Sequence, residues 1–333
     1  METGGEKAVK VIKAFNLVAI LLICFVALTM AISFVLGPYI VFNSSIGKEI
    51  VGKSSDFYIF FIGLAFSFKS NIQSLFISEW VIYLSIFTIL AVTGKEQVSK
   101  FLREKRVSMA DPFSNNLMAA ISIFSITVVI VLVVDWIQYN VGIETGNLPE
   151  MNPAELLCII SHAPLAEEIG FRLSLIGLFS IVFLKGWRKK ISLIDYLISP
   201  IPTLRSRLKD TEYDEKRVHA IFLPLILASG TIFGLAHIMP SSVWEVGKAT
   251  EAAFAGIMLG IAYSYYNIGV AILIHWAFNY YSNTLYIFEE NFVNIGLSNI
   301  MDTTIVLLGS ILILRTILAS TILKKERTKE FIF

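Results

Sequence analysis

Eight apolar runs, each about as long as the hydrocarbon core of a bilayer is thick, leave this 333-residue chain few folds to choose from. That core is about 30 Å across and takes about 20 helical residues to span. Within it, only helices and closed barrels satisfy their own backbone groups. The runs cover residues 14–36, 73–93, 117–137, 155–186, 218–239, 251–267, 269–288 and 303–323, and they predict an all-α, polytopic membrane protein built as a single integral membrane domain over residues 1–333. Composition agrees, since 56% of residues are hydrophobic and only 16% charged, against about 25% charged in soluble domains. A net charge of +1 offers nucleic acid no basic surface. Cys24 and Cys158 both fall in apolar spans and read as small buried hydrophobes, not as a disulfide framework. The stretch Phe57–Phe68 is apolar but has only 12 residues before Lys69, so it reads as an interfacial or re-entrant piece.

Lysine and arginine in the loops give the orientation. The first span follows Lys7, Lys10 and Lys13 and is not trailed by a small-residue cleavage site, so it reads as retained. Further basic clusters are Lys95, Lys100, Arg103, Lys105 and Arg106 after span two, nine residues from Lys185 to Arg217 after span four, and Lys324, Lys325, Arg327 and Lys329 in the tail. The loop 138–154 has neither lysine nor arginine. With eight spans all the basic segments share one side, and both termini are expected to be cytoplasmic. The loop 187–217, with Pro200 and Pro202, reads as a solvated connector, and Asn267-Ile268-Gly269 as a tight turn between spans six and seven. Glu79-Trp80 and Asp135-Trp136 read as interfacial anchors, Arg315 and His162 as structural, and His219 as interfacial.

Span four carries three charges within six residues: Glu167, Glu168 and Arg172. An ionised side chain in hydrocarbon costs roughly 2.5–3.5 kcal/mol even on insertion scales, so such groups mark function or are paired. Four residues apart, Glu168 and Arg172 share a helix face and neutralise each other. Glu167 is turned away by about 100° and stays without an intrahelical partner. It is the free carboxylate, and desolvation would make it a better base near neutral pH. Pro164, one turn earlier, frees the carbonyl of Ile160; that is either a route for water into a cavity or a packing kink. Span five ends at Phe233-x-x-x-His237, and span seven carries His275-x-x-x-Asn279, whose two side chains share a face and can together hold an oxyanion. A single histidine would read as a satisfied core residue. Two histidines, an unpaired glutamate and an asparagine on three spans read as a site.

In order, Glu167-Glu168-x-x-x-Arg172, Phe233-x-x-x-His237 and His275-x-x-x-Asn279 resemble the three motifs of the CPBP (CAAX protease and bacteriocin-processing, or Abi) intramembrane proteases, the family of the type II CAAX prenyl endopeptidases. The run Phe254 to Tyr263, with Gly256 and Gly260, is similar to the family's helix between motifs two and three, and the likeness covers about residues 155–290. The resemblance implies an eight-helix fold around an intramembrane cavity and a protease without a cofactor. Glu167 and His237 would activate water, His275 and Asn279 would stabilise the oxyanion, and Glu168 and Arg172 would support them. It implies a membrane-associated peptide or protein, lipidated or not, as substrate, with the lipid bilayer as the other partner.

Three alternatives stand beside this reading. A zinc hydrolase would use Glu167, His237 and His275 as ligands, though the chain has no HExxH. A non-proteolytic scaffold or bacteriocin-immunity protein of the same fold would not need an unpaired carboxylate. A proton-coupled transporter would show repeated halves, which the sequence lacks. Depth poses a separate question. Glu167 lies 17 residues from Leu184 and His237 17 residues from Ala220, near the cytoplasmic ends of their runs, roughly 25 Å, whereas His275 lies roughly 9 Å past Gly269. One site requires the 267–269 turn to be sunk in protein, or the orientation to be reversed.

Overall fold

The computed structural model describes residues 4–93, 111–146, 150–185, 187–209, 213–239 and 244–330. The basic cluster from Lys95 to Arg106 and the side chains of Lys7 and of the tail lysines and Arg327 lie outside what is described. In chain order the elements are α1 (Gly4–Pro38), α2 (Ser45–Lys48), a hairpin of β1 (Ser54–Phe61) and β2 (Leu64–Asn71), α3 (Ile72–Thr93) and α4 (Asn116–Asn140). Then come α5 (Pro153–Glu167), a π-helical stretch Glu168–Leu178, α6 (Phe179–Phe183), α7 (Leu193–Ile198), α8 (Pro200–Arg207), α9 (Glu215–Ile238) and α10 (Val246–Tyr265). Last are α11 (Ile268–Trp276), a second π-helical stretch Ala277–Tyr281, α12 (Ser282–Asn291) and α13 (Leu297–Glu330).

The protein is helical, as expected, but the count of eight spans is not reached. Among the described residues five helices are long and apolar enough to cross a membrane: Lys10–Asn43, Ile72–Thr93, Asn116–Asn140, Glu215–Ile238 and Leu297–Thr321. They make this an integral membrane protein. The expected spans 155–186, 251–267 and 269–288 also form helices. They are the ones that carry Glu155, Glu167, Glu168 and Arg172, then Glu251, then His275, Asn279 and Asn283, so their polar content sets them apart from ordinary spans.

The segment read as an interfacial or re-entrant piece is a β-hairpin. Its register runs from Ser54 opposite Asn71 to Phe61 opposite Leu64, leaving a two-residue turn. Ile62 and Gly63 take left-handed φ values of 51° and 74°, the type I′ turn that matches strand twist. For a β-branched residue such as Ile62 that conformation is strained. The Ile62 N–H donates to Ser174 Oγ at 3.0 Å, tying the hairpin tip to the helix that bears the glutamates. Along the same helix, Phe60 lies so close to Gly170 that a Cβ there would collide with it.

The core between the long helices is aromatic. Trp276 and Tyr281 are fully buried, and Trp276 stacks on Tyr280 at 4.9 Å and contacts Phe34 at 5.9 Å. Thr29 Oγ1 and Tyr281 Oη share a hydrogen bond of 2.7 Å, and the Trp80 indole N–H donates to the Phe34 carbonyl at 2.9 Å. In lipid such packing and interhelical hydrogen bonds, not exclusion from water, hold helices together. Of the two cysteines only Cys158 is buried, whereas Cys24 faces outward, contrary to the sequence reading. Arg315 is structural, as expected: it meets Asp111 at 3.2 Å and Asn16 at 3.1 Å.

The loop 187–217 is no solvated connector. It folds into α7 and α8, and Tyr196, Ile201 and Leu204 enter the core. These helices cover the turn that precedes α11. Tyr263 Oη donates to the Leu197 carbonyl at 2.8 Å, and Ser199 Oγ donates to the Tyr266 carbonyl. The turn that precedes α11 is therefore covered by protein.

Candidate active site

Glu168 is the hub of the buried polar cluster. It is fully buried, as is Arg172, and its Oε2 lies 3.2 Å from Arg172 Nε, the pairing expected from the four-residue spacing. Its other oxygen takes a hydrogen bond of 2.8 Å from His275 Nδ1, which spacing along one helix did not reveal. Arg172 also lies over the Phe233 ring at 4.3 Å, a cation–π contact that shares its charge in a dry setting. Glu167 differs. It keeps partial exposure, its Oε2 has no hydrogen-bond partner, and that oxygen lies 3.7 Å from His275 Nε2. The two adjacent carboxylates thus have separate environments, one locked between Arg172 and His275 and one facing a cavity. Both motif helices change from α to π inside the cluster, at Glu168 and again at Ala277; such wide turns recur at functional sites.

Two cavities meet at the Phe233–His237 turn. One is ≈ 220 Å³ in volume and is lined by Phe60, Glu167, Phe171, Ala236 and Trp244 together with Phe233 and His237. The other shares Phe233 and His237 and adds His275, Asn279, Lys248 and Glu251. Phe233 stands edge-on to both histidines, 4.7 Å from His237 and 5.8 Å from His275. The phenylalanine of the motif is the spacer that sets the two imidazoles apart. His237 Nδ1 is 2.8 Å from the Phe233 carbonyl. A carbonyl only accepts, so Nδ1 carries the proton there and Nε2 of the neutral ring is left with its lone pair.

Asn279 is held by the proline kink. Its Nδ2 donates to the Ile160 carbonyl at 3.1 Å, the acceptor that Pro164 releases from the helix ladder. The freed carbonyl therefore anchors a motif side chain. One amide proton is used on Ile160, and the second remains for another acceptor.

Several residues of the site were not read from the sequence. Phe60 comes from the hairpin, and Trp244 and Lys248 flank the start of α10; none belongs to a motif, and only the folded chain puts them beside His237. Glu79 was read as an interfacial anchor, yet it is buried and pairs with His162 Nδ1 at 2.5 Å. His162 Nε2 in turn reaches the Tyr58 carbonyl at 2.7 Å, so this pair fastens the hairpin to α5. Among the described residues no group of three histidine, cysteine or carboxylate side chains converges closely enough to hold a metal ion.

No curated protein and no solved structure matches the chain. A family model does, over a segment that holds all seven motif side chains from Glu167 to Asn279 and begins and ends close to the limits expected from the motifs. Residues 149–281 match the model described as type II CAAX prenyl endopeptidase Rce1-like.

Proposed function

We propose that the protein is an intramembrane endopeptidase that hydrolyses a peptide bond in a membrane-associated peptide or protein, lipidated or not. The observation that carries this reading is the shared cavity wall of Glu167 and His237, with His275 and Asn279 just across the Phe233–His237 turn. Water between Glu167 and His237 loses its proton to them as its oxygen bonds to the scissile carbonyl carbon. His237 Nε2 is free for that proton because Nδ1 is engaged by the Phe233 carbonyl. Negative charge then develops on the carbonyl oxygen. The unused amide proton of Asn279 and an Nε2–H of His275 stabilise it. With both ring nitrogens protonated, His275 gives Nδ1–H to Glu168, whose other oxygen faces Arg172, and keeps Nε2–H for the oxyanion. The proton passes to the leaving nitrogen as the C–N bond breaks. Glu168 and Arg172 position His275 and do not touch the substrate.

No step of this mechanism needs a metal or cofactor, and both termini lie on the cytoplasmic side. The Glu167→Gln variant keeps the shape and removes the base; a fall in kcat/KM of about 10²–10⁴ is expected, read by mass spectrometry on peptides incubated with protein in liposomes. Undiminished cleavage would remove the assignment. Activity is expected to survive a strong chelator. A loss restored only by a divalent cation would replace this mechanism with a metal centre at Glu167, His237 and His275. If a Glu167/His237 double variant restored the phenotype of a deletion strain, the scaffold reading would take its place.

A further inference from the structure

Lys248 has no part in the hydrolytic step, yet it lines the cavity that contains His237, His275 and Asn279. Among the described residues lining the two cavities it is the one lysine or arginine. Its ammonium is held in place from two sides. Nζ lies 4.5 Å from the centre of the Trp244 ring and 3.8 Å from Glu251 Oε2. The Glu251 contact is long for an ion pair, and the other oxygen of Glu251 is already engaged by Thr145 Oγ1 at 2.8 Å and Gln138 Nε2 at 3.4 Å. Glu251 is thus an anchored carboxylate that Lys248 leans toward without closing on it. An ammonium has three donors. The ring face and Glu251 account for two directions, and the side chain, 27% exposed, presents the third to the cavity.

We propose that Lys248 is a specificity-determining residue that takes a carboxylate of the substrate peptide on the side of the scissile bond beyond His275 and Asn279. The inference rests on the endopeptidase reading and deepens it. In a cavity whose other lining is Val131, Ala252, Ala255, Leu259 and Phe278 beside the motif side chains and Glu251, the one cation favours an anion, because a neutral group there leaves the third ammonium donor without a charged acceptor. The carboxylate is either the free C-terminus of the peptide or an acidic side chain near it, and the two are chemically alike at Lys248.

Two pools of ten-residue peptides, prenylated and unprenylated, separate these sources. One pool ends in a free acid and the other in an amide, and each is made with Asp and Glu or with Asn and Gln in the last four positions. The wild-type protein is expected to prefer the matching acid form by about tenfold or more, the scale of a charge-assisted hydrogen bond. In Lys248→Met the ratio of acid to amide cleavage should fall toward one, and in Lys248→Arg it should recover. The ratio is internal to each variant, so a smaller folded fraction does not move it. Preference for the acid end assigns the terminus, and preference for Asp and Glu regardless of the end assigns a side chain. Equal use of all forms by the wild type, or a ratio that Lys248→Met leaves unchanged, overturns the inference while cleavage lost in Glu167→Gln still upholds the peptidase. Cleavage of neither pool removes both.

Discussion

At the residue scale, the chemistry turns on how few hydrogen-bond choices each polar atom has. Asn279 has two amide protons, and the Ile160 carbonyl takes one. Asn279→Ala should therefore remove a single oxyanion donor, lowering kcat by about 10²–10³ with little change in KM. Steady-state kinetics on the same peptides as Glu167→Gln would test this; a rise in KM alone would move Asn279 from the transition state to substrate binding. Phe233 acts without any polar atom. It holds His237, His275 and Arg172 at van der Waals or cation–π distance. Truncating a buried aromatic ring to alanine typically costs 3–5 kcal/mol, so Phe233→Ala should lose both stability and activity. Phe233→Tyr is the informative variant, since it keeps the ring and asks whether the cavity tolerates a hydroxyl.

At the scale of elements, the hairpin and the start of α13 each rest on contacts that a single substitution removes. Gly170 lets β1 lie directly on the π-helical stretch. Gly170→Ala forces Phe60 away, and overpacking of this kind costs about 1–3 kcal/mol. A lowered unfolding temperature in detergent is the expected outcome, and an unchanged one would mean the hairpin moves freely. The N-terminus of α13 is capped from a distance by Glu289, whose carboxylate accepts from the Ser298 N–H at 2.9 Å, from the Ser298 hydroxyl and from the Leu297 N–H. Burial pushes the Glu289 carboxyl up, but these hydrogen bonds outweigh it and hold the group below its usual value of 4.5. A carboxyl lowered in the folded state adds stability above its unfolded value, and that stability disappears as the pH falls through the folded one. Glu289→Gln should be less stable near neutral pH by about 1 kcal/mol, the typical worth of a cap. The difference from wild type should shrink below about pH 4.5. Thermal melts across that range, with the two curves staying parallel, would refute the cap.

At the scale of the whole molecule, the Rce1-like segment is not self-sufficient. Its aromatic centre at Trp276, Tyr280 and Tyr281 is completed by Phe34 and Thr29 from α1, and Glu155 at its start pairs with Lys53 at 2.5 Å. Residues 149–281 expressed alone should fail to run as a single species on gel filtration in detergent, and co-expression with residues 1–148 should improve it. A monodisperse isolated segment would show that α1 to α4 only decorate the fold.

Much was open to a reader of the chain alone. Length and hydropathy determine membrane helices, because backbone groups in hydrocarbon have no other partner. A four-residue spacing determines that Glu168 meets Arg172 and that Glu167 does not, because helix geometry is local. Tertiary structure decided what neighbours in space supply. Glu168 also grips His275, the Pro164-freed carbonyl holds Asn279, and Lys248 lies beside His237 only once α9 and α10 are paired. The hairpin escaped because β1 is apolar on both faces, so only the short alternation of Phe66 and Phe68 with Ser67 and Lys69 in β2 marks it. A covered turn before α11 was one of the two readings the chain allowed, and what covers it is decided by α7 and α8, two short helices whose burial depends on what they pack against and not on their own hydropathy.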